Sequence, residues 1–156
     1  MIGIVTVTDT RTVDTDESGP TAQAALEALG YTDFEFRIVP DEIDAIQLAI
    51  KELCERCEAI FTTGGTGFTA RDVTPEATTP LLDRPASNLL ELIRLRGLEH
   101  TPMSHLSRGV AGVRGRTLIV NLPGSPKGAR EGVEALGPLL PSIFSQLRGD
   151  GCGHLC

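Results

Sequence analysis

The stretch EAIFTTGGTGFTARD, residues 58–72, decides how the chain folds. Its first half, 58–63, is apolar and β-branched after Glu58 and reads as a buried strand. Its second half places Gly64, Gly65 and Gly67 around Thr66, so the strand runs straight into a glycine loop. Two similar strands come before it, IGIVTVT at 2–8 and FEFRIVP at 34–40. A helix fits between each pair. The first follows the polar loop DTRTVDTDESGP (9–20), capped at Ser18 or Gly19 with Pro20 in its first turn. It carries Ala22, Ala25, Leu26 and Leu29 on one face and stops at Gly30. The second has Asp41 as its expected N-cap and Asp44 at the reciprocal position. Its stripe is Ile43, Ile46, Ile50, Leu53, Cys54 and Cys57. Strand, helix, strand, helix, strand in 63 residues predicts an α/β fold: a mostly parallel sheet with helices on both faces.

Beyond the loop, Thr74-Pro75 opens a short helix expected to reach Asp83, and SNLLELIRLRG spans a helix at 87–97. GVAGV and TLIVNLP are strands joined by the basic turn RGR. Helices at 127–136 and 139–148 follow, separated at Pro138. There is no internal repeat, and residues 1–148 are expected to form one domain. The ending GDGCGHLC, with Cys152, His154 and Cys156, is expected to be a frayed, disordered tail over 149–156.

Gly65-Thr66-Gly67-Phe68-Thr69-Ala70 matches the dinucleotide fingerprint G-x-G-x-x-A letter for letter. That fingerprint should end the first strand, open a helix at once and meet an acid about 20 residues later at a strand end. Here it follows the third strand, its helix waits until Pro75, and the acids near that distance, Asp83 and Glu91, lie in or beside helices. A nicotinamide-linked enzyme is therefore the weakest reading. No Gly-Lys-Ser/Thr follows, which excludes a Walker A loop. A different phosphate site remains, because polar clusters sit at every expected carboxyl strand end. They are Asp9 to Thr12, Asp41-Glu42, Gly64 to Gly67 with Arg71 and Asp72, and Asn121 with Gly124 and Ser125. Asp41 and Asp72 suit Mg²⁺, which takes carboxylate and phosphate oxygens together. Plainer roles stand beside these: a helix cap for Asp41, turns for Asp72 and Asn121, a solvated charge for Arg71. His100 and His105 receive no role.

The 156 residues are 40% hydrophobic and 22% charged, a globular composition, with net charge −7 and pI near 4.9. That acidity argues against a nucleic-acid partner, since such binding neutralises many phosphates. No apolar run is long enough to span a membrane, and MIGIVTVTDT lacks a signal peptide's basic start, so a cytoplasmic protein is expected. Cys54 and Cys57 form C-x-x-C inside a helical pattern without a second pair at zinc spacing, which favours packing over metal.

Together, TTGGTGFTARDVTPEAT (62–78), NLPGSPKG (121–128), VTDTRT with DESGP (7–20) and LSRGVAG (106–112) closely resemble the motifs of the MogA/MoaB family of molybdenum cofactor biosynthesis, which includes the gephyrin and Cnx G domains. The resemblance covers residues 1–148. It implies a three-layer α/β/α sandwich, a homotrimer, and molybdopterin adenylyltransferase activity with ATP as co-substrate and Mg²⁺ as cofactor. A MoeA-like molybdenum insertase would accept the product. Asp41 and Asp72 match the essential carboxylates, expected to be catalytic and to position the metal. Gly64, Gly65, Thr66 and Gly67 match the nucleotide loop. Glu91, Ser107, Asn121, Gly124 and Ser125 match further nucleotide or molybdopterin positions. An alternative within the family is a non-catalytic molybdopterin carrier. The chain departs from the pattern at Ser87-Asn88, where Pro-Gly is usual, and at Gly97, often a serine.

Overall fold

The structure, a computed structural model, describes residues 1–150. The chain runs β1 (Ile2–Val7), α1 (Ser18–Ala28), β2 (Phe34–Val39), α2 (Ile43–Cys54), β3 (Ala59–Thr63), α3 (Thr74–Thr78), β4 (Arg84–Pro85), α4 (Ser87–Leu98), β5 (Ala111–Arg114), β6 (Thr117–Leu122), α5 (Pro126–Leu136) and α6 (Leu140–Arg148). Short 3₁₀ turns occupy Thr79–Leu81, Pro102–Leu106 and Gly137–Leu139. Among the described residues no helix is long and apolar enough to cross a membrane. Residues 151–156 of the expected tail, with Cys152, His154 and Cys156, lie outside the described residues.

One six-stranded sheet has the order β2-β1-β3-β6-β5-β4. The first four of these strands are parallel, and β5 and β4 continue the sheet antiparallel. Of the strands expected from the sequence, β1, β3 and β6 are buried on both faces, as central parallel strands are, while β2 is a half-exposed edge. Register sorts their side chains. Ile4, Phe61 and Val120 are partners in adjacent strands and face α1, α4, α5 and α6. Val5, Ile60 and Ile119 face the opposite way, against α2 and α3. Helices on both faces make the three-layer α/β/α sandwich. Phe61 is completely buried at its centre, a burial that contributes roughly 1.5–3 kcal/mol.

Three local expectations need correction, and one element was not expected. Asp41 does not cap α2: Glu42 occupies the N-cap and no side chain bonds the helix start. Glu17, not Ser18 or Gly19, precedes α1, because the Ser18 hydroxyl is drawn away to donate to the Gly124 carbonyl at 2.6 Å. The helix at Thr74 ends at Thr78 and tightens into a 3₁₀ turn that closes at Leu81, since Pro80 has no N–H to continue it. Finally, Arg84–Pro85 forms a two-residue edge strand against β5, too short to carry a sequence pattern.

The strand order sets the site. From β1 the chain moves outward to β2, then crosses back over β1 to β3. The switch lies between the carboxyl ends of β1 and β3, where open α/β sheets bind ligands.

Candidate active site

The glycine loop has its carbonyls engaged and its N–H groups free. Gly64 O accepts from the Thr74 hydroxyl at 2.9 Å, and Gly65 O accepts from the Thr74 N–H at 3.0 Å. Thr66 O accepts from the Arg108 N–H at 2.9 Å, and Gly67 O from Arg108 Nε at 2.7 Å. Among the described residues, none of the N–H groups of Gly65, Thr66 and Gly67 donates to a protein acceptor. Such a set of donors is a site for an anion. Positive φ at Gly64 and Gly65 (89° and 72°) allows this path. A side chain at Gly64 would meet the Val7 carbonyl, and one at Gly65 would meet the Thr74 hydroxyl.

Across the loop lies the start of α5. Ser125 is its N-cap and accepts from the Gly128 N–H at 3.0 Å. Gly124 comes so close to Gly64 that a Cβ added there would sit 3.3 Å from the Gly64 Cα. The helix start adds partial positive charge beside the loop.

Three acids surround the other side. The Asp41 carboxylate lies beside Gly65, whose added Cβ would be 3.2 Å from Asp41 Oδ1. Burial, then the negative charges of Asp9 and Asp72, push the Asp41 carboxyl above its ordinary value; Arg71 and the Asp9 N–H partly oppose this. Asp72 Oδ2 accepts from both the N–H and hydroxyl of Thr69, at 2.9 and 2.8 Å. That turn fixes Asp72 next to Gly67. Asp9, expected from the sequence only as part of the cluster after β1, holds the group together. It accepts the Asp41 N–H at 2.9 Å and binds Arg71 through both oxygens at 2.9 and 3.1 Å. Arg71 is therefore paired, not merely solvated, and keeps the Asp9 carboxyl below its ordinary range.

A cavity of about 420 Å³ opens from the loop. Gly65, Thr66, Gly67 and Asp72 form one end; Gly124 and Ser125 flank them. Leu90, Ile93, Met103 and Leu106 supply apolar wall from α4 and the turn that follows it. Ser107 lines it too, its hydroxyl 3.4 Å from that of Thr66. Arg94 pins this wall by donating to the carbonyls of Ser107 and Gly109. A second, smaller hollow of about 250 Å³ lies beyond the Gly64–Gly124 contact, lined by Thr6, Arg11, Asp16 and Ser18 among others.

Two expected site residues are elsewhere. Asn121 is fully buried and lines neither of these cavities. Its Oδ1 accepts the Val110 N–H at 3.0 Å, and its Nδ2 donates to the hydroxyls of Thr62 and Thr78 at 2.9 and 3.2 Å. It faces the α2–α3 layer because it shares register parity with Ile119. Glu91 lies on the exposed side of α4, away from Leu90, Ile93 and Arg94 at the cavity. The sequence reading missed Arg108, gave His100 no role, and placed Asp9 only in a strand-end cluster. Arg108 sits inside LSRGVAG, yet its contacts to Gly67, Asp72 and Glu76 span at least 32 positions. Cys54 and Cys57 are free thiols, partly and fully buried, and burial raises both above the ordinary thiol value, as packing residues should be.

No group of three or more His, Cys, Asp or Glu side chains forms a metal cage among the described residues. Asp41 and Asp72 instead offer hard oxygens beside an anion cradle. That fits Mg²⁺, which binds one or two carboxylates and completes its shell with water and phosphate.

An anion cradle at the switch point, beside a cavity walled by aliphatic side chains, defines an α/β protein with a site suited to a phosphorylated organic ligand. The family described as "Probable molybdopterin binding domain" matches residues 3–142, and the chain belongs to it. A molybdopterin adenylyltransferase of Helicobacter pylori is 37% identical over 155 residues, covering 96% of this chain and 88% of that protein. The Drosophila melanogaster molybdenum cofactor synthesis protein cinnamon is 42% identical over 153 residues, 95% of this chain but only 26% of that longer protein. A solved structure of MogA superposes with a TM-score of 0.87 at 38% identity, covering 94% of this chain and 98% of its own.

Proposed function

We propose that this chain is a molybdopterin adenylyltransferase of molybdenum cofactor biosynthesis. The observation that carries the reading is the loop 64–67, with four carbonyls that accept hydrogen bonds from the protein and three successive N–H groups that donate to no protein acceptor among the described residues, lining one cavity with Asp72. In the proposed reaction an oxygen of molybdopterin's terminal phosphate attacks the α-phosphorus of ATP. The bond from that phosphorus to the β-phosphate oxygen breaks, and pyrophosphate leaves. The incoming oxygen is already anionic, so no protein nucleophile or strong base is needed. The barrier falls by holding two anions in line and offsetting the charge that develops.

The loop N–H groups and the α5 start would bind phosphate oxygens. Asp41 and Asp72 would hold Mg²⁺, which when bound offsets phosphate charge. Asp9 and Arg71 keep Asp41 in place, and Arg108 keeps the loop shaped. Ser107 closes the cavity side. The same reading gives a domain of residues 1–148, a cytoplasmic homotrimer and a MoeA-like insertase as acceptor of the product. Light scattering tests the trimer.

Pyrophosphate release from ATP, with molybdopterin and with or without Mg²⁺, tests the function. Release that needs both molybdopterin and Mg²⁺, and that Asp72→Asn abolishes without loss of fold, supports it. Tight molybdopterin binding without release would instead identify a non-catalytic carrier.

A further inference from the structure

Glu131 projects from α5 into the 420 Å³ cavity, at the end away from the glycine loop. Six residues of helix separate it from Ser125, about 9 Å at 1.5 Å per residue. Its side chain is only 13% exposed. Among the described residues no N–H or O–H donates a hydrogen bond to it. The nearest cations are His100 Nε2 at 3.5 Å and Lys127 Nζ at 3.9 Å. Both are rim residues, with side chains 45% and 62% exposed, and both contacts are long for charged hydrogen bonds. Glu131 shares the cavity lining with the apolar side chains of Ile93 and Leu90, so its carboxylate is short of protein donors. A ligand with two parallel N–H donors would complete it.

The geometry points to Glu131 as the residue that selects the pterin end of the substrate, by accepting from its cyclic acylguanidine edge. This rests on the reading of the cavity as a molybdopterin site. That edge presents a ring N–H and an exocyclic amino N–H side by side, which match two carboxylate oxygens. Adenine presents an amino donor beside a bare ring nitrogen, whose lone pair faces the carboxylate unfavourably. Glu131 thus separates the two heterocycles that the reaction brings together. The phosphate cradle at one end and the acid about 9 Å along α5 fit a ligand with a phosphate at one end and a donor edge at the other. Guanine shares the donor pair, so the test must tell the two apart.

Fluorescence titration with 6-hydroxymethylpterin and 6-hydroxymethyllumazine provides it, since lumazine replaces the amino group by a carbonyl. The wild-type protein should prefer the pterin by at least about tenfold, as charged bidentate hydrogen bonds do. Glu131→Gln should bring the two within about threefold, because an amide donates to the lumazine carbonyl. Glu131→Asp keeps the charge but withdraws it, and should weaken the pterin while keeping the preference. Asp72→Asn should leave the preference intact, which separates this inference from adenylyl transfer. Transfer with an unchanged preference in Glu131→Gln sinks only the role of Glu131; a shifted preference without transfer sinks only the enzymatic reading. No pterin binding to the wild type at millimolar concentration overturns the inference. So does GMP binding more tightly than the pterin.

Discussion

The Asp41 N–H donates to Asp9 Oδ1 at 2.9 Å, so the acid after β1 fixes the backbone of the acid after β2. Asp9 also grips Arg71, one residue before Asp72. One exposed side chain thereby ties together the segments that carry both proposed metal-binding carboxylates. Asp9→Asn should reduce adenylyl transfer by roughly 10- to 100-fold, the scale of a misplaced reacting group. It should barely move the melting temperature, because exposed ion pairs contribute little. A pyrophosphate assay beside a thermal melt checks both; a large loss of stability would mean that Asp9 serves the fold first.

Asp41 itself should be more costly to the fold ionised than protonated. Its carboxyl lies above the ordinary aspartate value through burial and the charges of Asp9 and Asp72. A raised carboxyl contributes its stability below the unfolded value and loses it as pH rises through the folded value. Asp41→Asn should therefore melt higher than wild type at pH 7 while losing transfer activity. The difference should vanish below about pH 4, where aspartate is protonated in either state. Mg²⁺ with ATP should stabilise the wild type and not the variant. Melts across pH, with and without Mg·ATP, read all three.

Asn121 offers the opposite contrast. Removing its amide by Asn121→Ala strands the Val110 N–H and uncouples Thr62 from Thr78, all next to a fully buried position. Each unsatisfied buried group costs about 1–3 kcal/mol, so the variant should lose roughly 2–4 kcal/mol and melt several degrees lower. The folded fraction should turn over within a few-fold of wild type, since the side chain never reaches the cavity. Denaturant titration and kcat at low temperature, where the variant is still folded, separate the two effects.

The difference between Asp41 and Asn121 explains what the sequence could disclose. Both stand at carboxyl strand ends, and composition and spacing treat them alike. Strand parity puts Asn121 with Ile119 on the α2–α3 face, where Thr78 closes over it. Parity of that kind becomes visible only once the register is known. The central strands were legible as short, continuous apolar runs, and the long helices because their buried faces repeat at 3.6 residues. The glycine loop and Asp72 were legible because their geometry is local. Arg108 and Glu131 were not, and Asp9 was legible only as one of a strand-end cluster. Asp9 and Arg108 act across 32 to 62 positions. Glu131 reads as an ordinary solvated helix charge until the fold sets it in the cavity, with His100 nearby. Glu91, on the neighbouring helix, carries the same charge and points to solvent.

Gly97 shows what the departure from the family pattern does. A Cβ there would stand 2.6 Å from the Ser104 Cβ, closer than side chains tolerate. The absence of a side chain lets the turn Pro102–Leu106 lie directly on α4, held by the Ser104 hydroxyl donating to the Arg94 carbonyl at 3.3 Å. Two effects oppose each other in Gly97→Ala. Helix propensity gains up to about 1 kcal/mol, and overpacking costs about 1–3 kcal/mol. The backbone at Ser104 must shift for the clash to be relieved, so overpacking should win and the melting temperature should fall. The same shift moves Met103 and Leu106 in the cavity wall, so KM for molybdopterin should rise more than KM for ATP. Ser104→Gly removes the opposing Cβ. In the double variant Gly97→Ala/Ser104→Gly the pterin KM should return toward wild type, giving a coupling of about 1 kcal/mol or more between the two sites. Additive effects in that cycle would mean the turn is held elsewhere, and that Gly97 does not set the width of the pocket.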